Sequence, residues 1–125
     1  MSDEPYVSNT AGEAFDPTEI DELVNDVGPQ SAARLLMRCI VDVRERVARL
    51  QDLPSDDLAT VHGLAHQLKG LFAQFGAHTA SAEAAALEAC GSPQAFALRA
   101  PIFQGCAMRA LAWFEEQHAR LAPLA

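Results

Sequence analysis

From residue 16 to residue 122 the apolar residues recur every three or four positions, and no stretch alternates apolar with polar. That period belongs to helices burying one stripe, and it leaves nothing from which to build a sheet. Short breaks punctuate the pattern. Asp16-Pro17-Thr18-Glu19 opens a first helix: Asp16 can cap, Pro17 suits the first helical position, and Glu19 stands at the capping-box offset. Ile20, Leu23 and Val24 form its stripe, and Gly28-Pro29 stops it. A second helix is predicted from Ser31 to Gln51, with Ala32, Leu35/Leu36, Cys39/Ile40, Val43, Val47 and Leu50 on its inner stripe. The pairs Asp42–Arg46 and Glu45–Arg49 support it. Leu53-Pro54-Ser55 breaks the chain, with Ser55 as the next cap. A third helix runs from Asp56 to Phe75 and stops at Gly76; a fourth, Ala-rich, runs from His78 to Cys90. Ser92-Pro93 opens a helical turn that Pro101 is expected to break or kink, because proline cannot donate to the helical ladder. A last helix then reaches Leu121. Loops this short make successive helices antiparallel. The expected fold is all-α: an up-down antiparallel four-helix bundle with an additional short N-terminal helix, over residues 16–122.

The charge is as uneven as the pattern is regular. The net charge of −8 comes wholly from residues 1–27, which carry eight acids and no Lys or Arg; the remaining nine acids and nine bases cancel. Residues 1–15, without a period, read as a disordered acidic leader. An acidic chain argues against nucleic acid, whose binders show a basic face. No apolar run nears the roughly 20 residues of a membrane helix, and the start lacks the basic and apolar regions of a signal peptide. The three cysteines form no CxxC pair, so neither a zinc knuckle nor a disulfide framework is indicated. A cytoplasmic, monomeric protein is expected.

One helix carries chemistry. At about 100° per residue, Val61, Leu64, Leu68, Leu71, Phe72 and Phe75 share an apolar face of the 56–75 segment. The opposite face collects Ala59, His62, His66, Lys69, Gly70, Ala73 and Ala77. A merely solvated face would carry Glu, Lys, Arg or Gln; this one is low, so a partner can approach the backbone around His66. Lys69, the only lysine, follows His66 by three residues and shares its face. Gly70 follows by four, where glycine costs roughly 1 kcal/mol relative to alanine.

The run Ala65-His66-Gln67-Leu68-Lys69-Gly70, followed by Gly76-Ala77, resembles the signature of histidine-containing phosphotransfer (HPt) domains. That signature is His-x-x-Lys-Gly with a second Gly six residues after the first. The order and length of the helices over about 15–122 are similar too. The resemblance implies that His66 is the phosphoacceptor, exchanging a phosphoryl group with receiver-domain aspartates. Lys69 would offset the phosphoryl charge, and Gly70 would leave room for the receiver. His62, Gln67, Ala73, Gly76 and Ala77 would form the surrounding partner surface. The implied partners are response-regulator receiver domains and a histidine or hybrid kinase. No cofactor of its own is implied; the divalent metal is expected on the receiver. Many members place a Gln or Glu on the next helix near the acceptor ring, and Glu88 matches that position. Two readings of it stand: a carboxylate accepting from one ring nitrogen, or a surface acid near a helix end. The sequence departs from the family at Leu71-Phe72, where small hydroxylated residues are frequent, and at Cys39-Ile40, where a Phe is frequent.

Other readings are set beside this one. His62 and His66 make an i,i+4 pair that could bind zinc, but no third ligand stands near in sequence. Cys39 and Cys106 fall on apolar stripes as inert buried thiols, and Trp113 reads as a packing residue. No Gly-rich nucleotide loop and no Ser-His-Asp or Cys-His pattern is present, so the chain is not a complete kinase. A different class of function fits the same face: a non-catalytic helical module that docks or sequesters a receiver domain.

Overall fold

The structure, a computed structural model, describes residues 14–54 and 56–124. The disorder expected of the leader, apart from its last two residues, lies outside the described range, as does Ser55. Four helices make up the fold: α1 (Thr18–Asp52), α2 (Leu58–Gln74), α3 (His78–Glu88) and α4 (Pro93–Leu121), with a 3-10 turn at Ala122–Leu124. Each packs on its neighbour in the chain, and α4 closes on α1. The connections of three to five residues turn each helix back on the one before it. No described helix is long and apolar enough to cross a membrane.

The inner stripes meet as the period requires. Leu36, Ile40 and Val43 of α1, Val61, Leu68 and Phe72 of α2, and Ala107, Ala110 and Phe114 of α4 are essentially inaccessible. Phe72 is the hub, with Phe103 edge-on at 6.2 Å and Phe114 at 6.3 Å between ring centroids. α3 contributes mainly small side chains, Ala80 and Ala84, beside Leu87. Small residues at that contact let α3 lie close against α2, which decides where the end of α3 falls relative to His66.

Several expectations are corrected at the breaks. Gly28 is not one of them: it breaks the helical backbone, with φ +85° and ψ 161°, so the expected short N-terminal helix ends at this kink as the leading part of α1, and a second helix resumes beyond it. Arg120 at the end of α4 holds this leading part by donating to Asp21 at 3.1 Å. Pro101 does not break its helix, and α4 runs through it. The residue is exposed, and so is Ala97 one turn before it. The carbonyl deprived of its donor therefore lies on the side open to water, where it costs little. α2 begins at Leu58, capped by Asp57, whose carboxylate accepts from the Thr60 N–H at 3.3 Å. α3 ends at Glu88, not Cys90.

The largest departure is Phe15, which the sequence places in the leader. Its side chain is 1% exposed and stacks on Trp113 at 4.9 Å with the planes 10° apart. Its backbone forms an antiparallel bridge with Ala77. Asp16 N–H donates to the Gly76 carbonyl at 3.0 Å, and Ala14 N–H donates to Thr79 Oγ1 at 3.1 Å. The entering strand thus crosses the α2–α3 turn. Gly76 makes this possible: its φ is +89°, and a Cβ there would collide with the Asp16 carbonyl.

Candidate functional site

The apolar face of α2 is spent on the core, so its other face is set outward by default. His66 sits on that face with its side chain 67% exposed. Its Nδ1 lies 2.9 Å from Glu88 Oε2, and Lys69 Nζ donates to Glu88 Oε1 at 2.8 Å. One carboxylate therefore bridges the histidine and the lysine. Of the two readings of Glu88, the structure has the carboxylate on the ring nitrogen.

The last residue of a short helix reaches this position because α3 is tied to α2 at two points. Ser81 Oγ donates to the Lys69 carbonyl at 3.0 Å. His62 Nε2 donates to the Cys90 carbonyl at 2.6 Å. Those contacts fix α3 at the level of Lys69 and just past its own C-terminal end. His62, expected as a rim residue of the partner surface, is half-buried and has this structural bond.

The electrostatics follow from the bridge. The Lys69 hydrogen bond holds the Glu88 carboxyl below its ordinary value of 4.5 against the opposing effect of desolvation, and the His66 hydrogen bond and the Lys69 charge add to the lowering. Glu88 is therefore ionised at neutral pH and can only accept. The hydrogen between them therefore sits on His66 Nδ1 and not on the carboxylate. A pH dependence follows. A carboxyl whose folded pKa is depressed contributes stability above its unfolded value and loses it as pH falls through the folded value. Wild type is expected to exceed Glu88→Gln in stability above pH 4.5, and the part of that margin due to the ionised carboxylate should be lost as pH falls below it. Denaturant melts across pH 3 to 7, on the order of one per half unit, check this; a margin that closes near neutral pH would contradict it.

On the other side of His66, a shallow groove of about 440 Å³ is lined by Asp42 and Arg46 of α1 and by His66, Gln67, Gly70, Leu71 and Gln74 of α2. Arg46 Nε donates to Gln67 Oε1 at 2.7 Å. Gly70 is exposed, and a Cβ there would meet nothing within 4 Å, so its own fold does not demand glycine. Gln67 and Ala73 are exposed on the same face. Gly76 and Ala77 are not: both are buried, and Ala77 N–H donates back to the Phe72 carbonyl at 2.9 Å. The helical wheel placed Ala77 outward only because it was continued past Gln74, where α2 ends and its phase no longer holds; Gly76 was assigned to the partner surface with the motif resemblance.

The remaining candidates read as expected or recede. Cys39, Cys90 and Cys106 are buried, and desolvation, aided by Asp42, pushes the Cys39 thiol up to about 12. Trp113 is a core residue. Among the described residues no three His, Cys, Asp or Glu side chains gather as metal ligands. Arg46 is the site neighbour that sequence reasoning missed. It enters there only as the i,i+4 partner of Asp42, at 3.8 Å, and nothing along α1 signals its contact with a side chain 21 residues away.

Neither a search of curated proteins nor a search of solved structures returned a match. A family model, that of the Hpt domain, matches residues 34–121. The matched stretch begins in α1 just beyond its break and spans the rest of the bundle, with the histidine, lysine and bridging glutamate inside it. The chain belongs to the Hpt domain family, whose members pass phosphoryl groups through a histidine in phosphorelays.

Proposed function

We propose that His66 accepts a phosphoryl group on Nε2 from the phosphoaspartate of a response-regulator receiver domain or from a histidine or hybrid kinase, and returns it to a receiver aspartate. The observation that carries this reading is the Glu88 carboxylate shared between His66 Nδ1 and Lys69 Nζ.

The step balances without an added base. The Nε2 lone pair attacks phosphorus and forms the P–N bond. The P–O bond to the aspartyl carboxylate breaks, and that carboxylate leaves with the electron pair. The ring keeps its Nδ1 proton and becomes cationic, and Glu88 sits against that charge. Reversal passes the group on. A neutral imidazole is a competent nucleophile near pH 7, and a phosphoimidazolium remains reactive enough to lose its phosphoryl group again. Lys69 is the nearest ammonium and can turn from Glu88 toward the phosphoryl oxygens as a mobile point charge. Gly70 leaves the backbone low where the receiver's loops must come close. The divalent metal and the acceptor carboxylate belong to the receiver, as suits a reaction governed by positioning and electrostatics.

The test is the chemistry of the bound phosphate. After incubation with a phosphorylated receiver domain, the chain is expected to carry label that is lost in acid and kept in base, as a phosphoramidate is. Acid-stable label, or none, would defeat the proposal. A non-catalytic module that only sequesters the receiver would remain unlabelled while binding it.

A further inference from the structure

We propose that Arg46 is a second docking cation of this site, flanking His66 on the side away from Lys69 and engaging the anionic, phosphoryl-bearing surface of the receiver domain. The inference rests on the reading of His66 as phosphoacceptor.

It starts from where the lysine's charge is directed. Lys69 Nζ lies 2.8 Å from Glu88, so on the α3 side of His66 the cation already faces a resident carboxylate. The α1 side holds a second cation, Arg46. One residue advances a helix by about 100°, so Gln67 and Lys69 fall on opposite flanks of His66. Gln67 is the residue that Arg46 bonds. Arg46 is the only basic side chain lining the groove that His66 and Gly70 also line, and this is the flank kept low by glycine.

The guanidinium is held in place. Its Nε donates to Gln67 Oε1 at 2.7 Å, and its Nη1 donates to the Asp42 carbonyl at 3.2 Å. Both nearby acids also meet the Nη1 edge, Asp42 Oδ1 at 3.8 Å and Glu45 Oε1 at 3.7 Å. Asp42 is shared with Arg38 at 3.3 Å. None of these contacts is made through Nη2. A guanidinium anchored through Nε and Nη1 can offer Nη2 to an incoming phosphoryl or carboxylate oxygen, and little side-chain entropy remains to be lost on contact. The receiver brings such anions: its phosphoaspartate and the acidic side chains that hold its metal.

A cation at the rim of a docking surface acts mainly on encounter and orientation. Transfer from a phosphorylated receiver domain is therefore measured over a range of receiver and salt concentrations for wild type, Arg46→Gln, Arg46→Lys and Gln67→Ala. Arg46→Gln is expected to raise KM by about tenfold or more, leave kcat within about twofold, and flatten the salt dependence of kcat/KM. Arg46→Lys should keep the salt dependence and show an intermediate KM, since it retains the charge and loses the fork; it carries the test if the glutamine variant loses its helical circular dichroism. An unchanged KM in both variants would overturn the proposal, as would a loss confined to kcat. An equal rise of KM in Gln67→Ala would also overturn it, by making Arg46 merely the holder of Gln67. Failure of wild type to take label from either the phosphorylated receiver or phosphoramidate would instead strike at the phosphoacceptor reading itself.

Discussion

His66→Gln is expected to reduce phosphoryl transfer to background, about a thousandfold or more below wild type, while the melting temperature stays within a few degrees. The loss is large because the substitution removes the nucleophile, and no neighbour can replace it. His62, one turn away, is half-buried with its Nε2 donating to the Cys90 carbonyl. His78 lies beyond the α2–α3 turn, near Asp16 at 3.8 Å. The fold should tolerate the change because the His66 side chain is two-thirds exposed, and surface substitutions usually fall within about 0.5 kcal/mol. A glutamine amide can also still donate to Glu88. Label is to be followed by phosphoprotein gel and the fold by circular dichroism. Label on the variant at the wild-type level would remove His66 from the mechanism.

Phe15→Ala is expected to destabilise the protein by about 3–5 kcal/mol, the range for emptying a buried phenylalanine site. The ring is 1% exposed and stacked on Trp113, so a cavity opens against an aromatic partner that cannot follow it. Domains of this size hold only about 5–15 kcal/mol in total, so the denaturant midpoint should move far. The backbone bonds of Asp16 and Ala14 to the α2–α3 turn should loosen as well, since the ring is what presses that strand down. A shift below about 1 kcal/mol would mean that the ring lies outside the core. The phosphoryl chemistry should survive at temperatures where the variant is folded, because Phe15 is not part of the Glu88–His66–Lys69 cluster.

These two residues differ in how visible they are in the chain. His66 is marked by its neighbours: Lys69 at three and Gly70 at four residues share its helical face, and all three lie on one continuous helix. Phe15 has no such frame. A single aromatic before Asp16-Pro17 carries no period, and its partner stands near the opposite end of the chain. Pro101 shows the reverse error. Its sequence signature is a break, yet exposure of that part of α4 lets water take the orphaned carbonyl, and the helix continues. Ala77 shows the limit of a wheel, which holds only while the helix does.

The local pattern was enough to determine the all-helical class, most of the inner faces and the placement of His66 and Lys69 on the one low face of α2, because each depends on residues within a turn or two. What only the tertiary structure decided is the company those residues keep. Glu88 meets His66 and Lys69 across 22 and 19 residues, and Arg46 meets Gln67 across 21. Such contacts depend on how closely Ala80 and Ala84 let α3 approach, and on how α1 lies against α2. The period of a single helix carries no information about either.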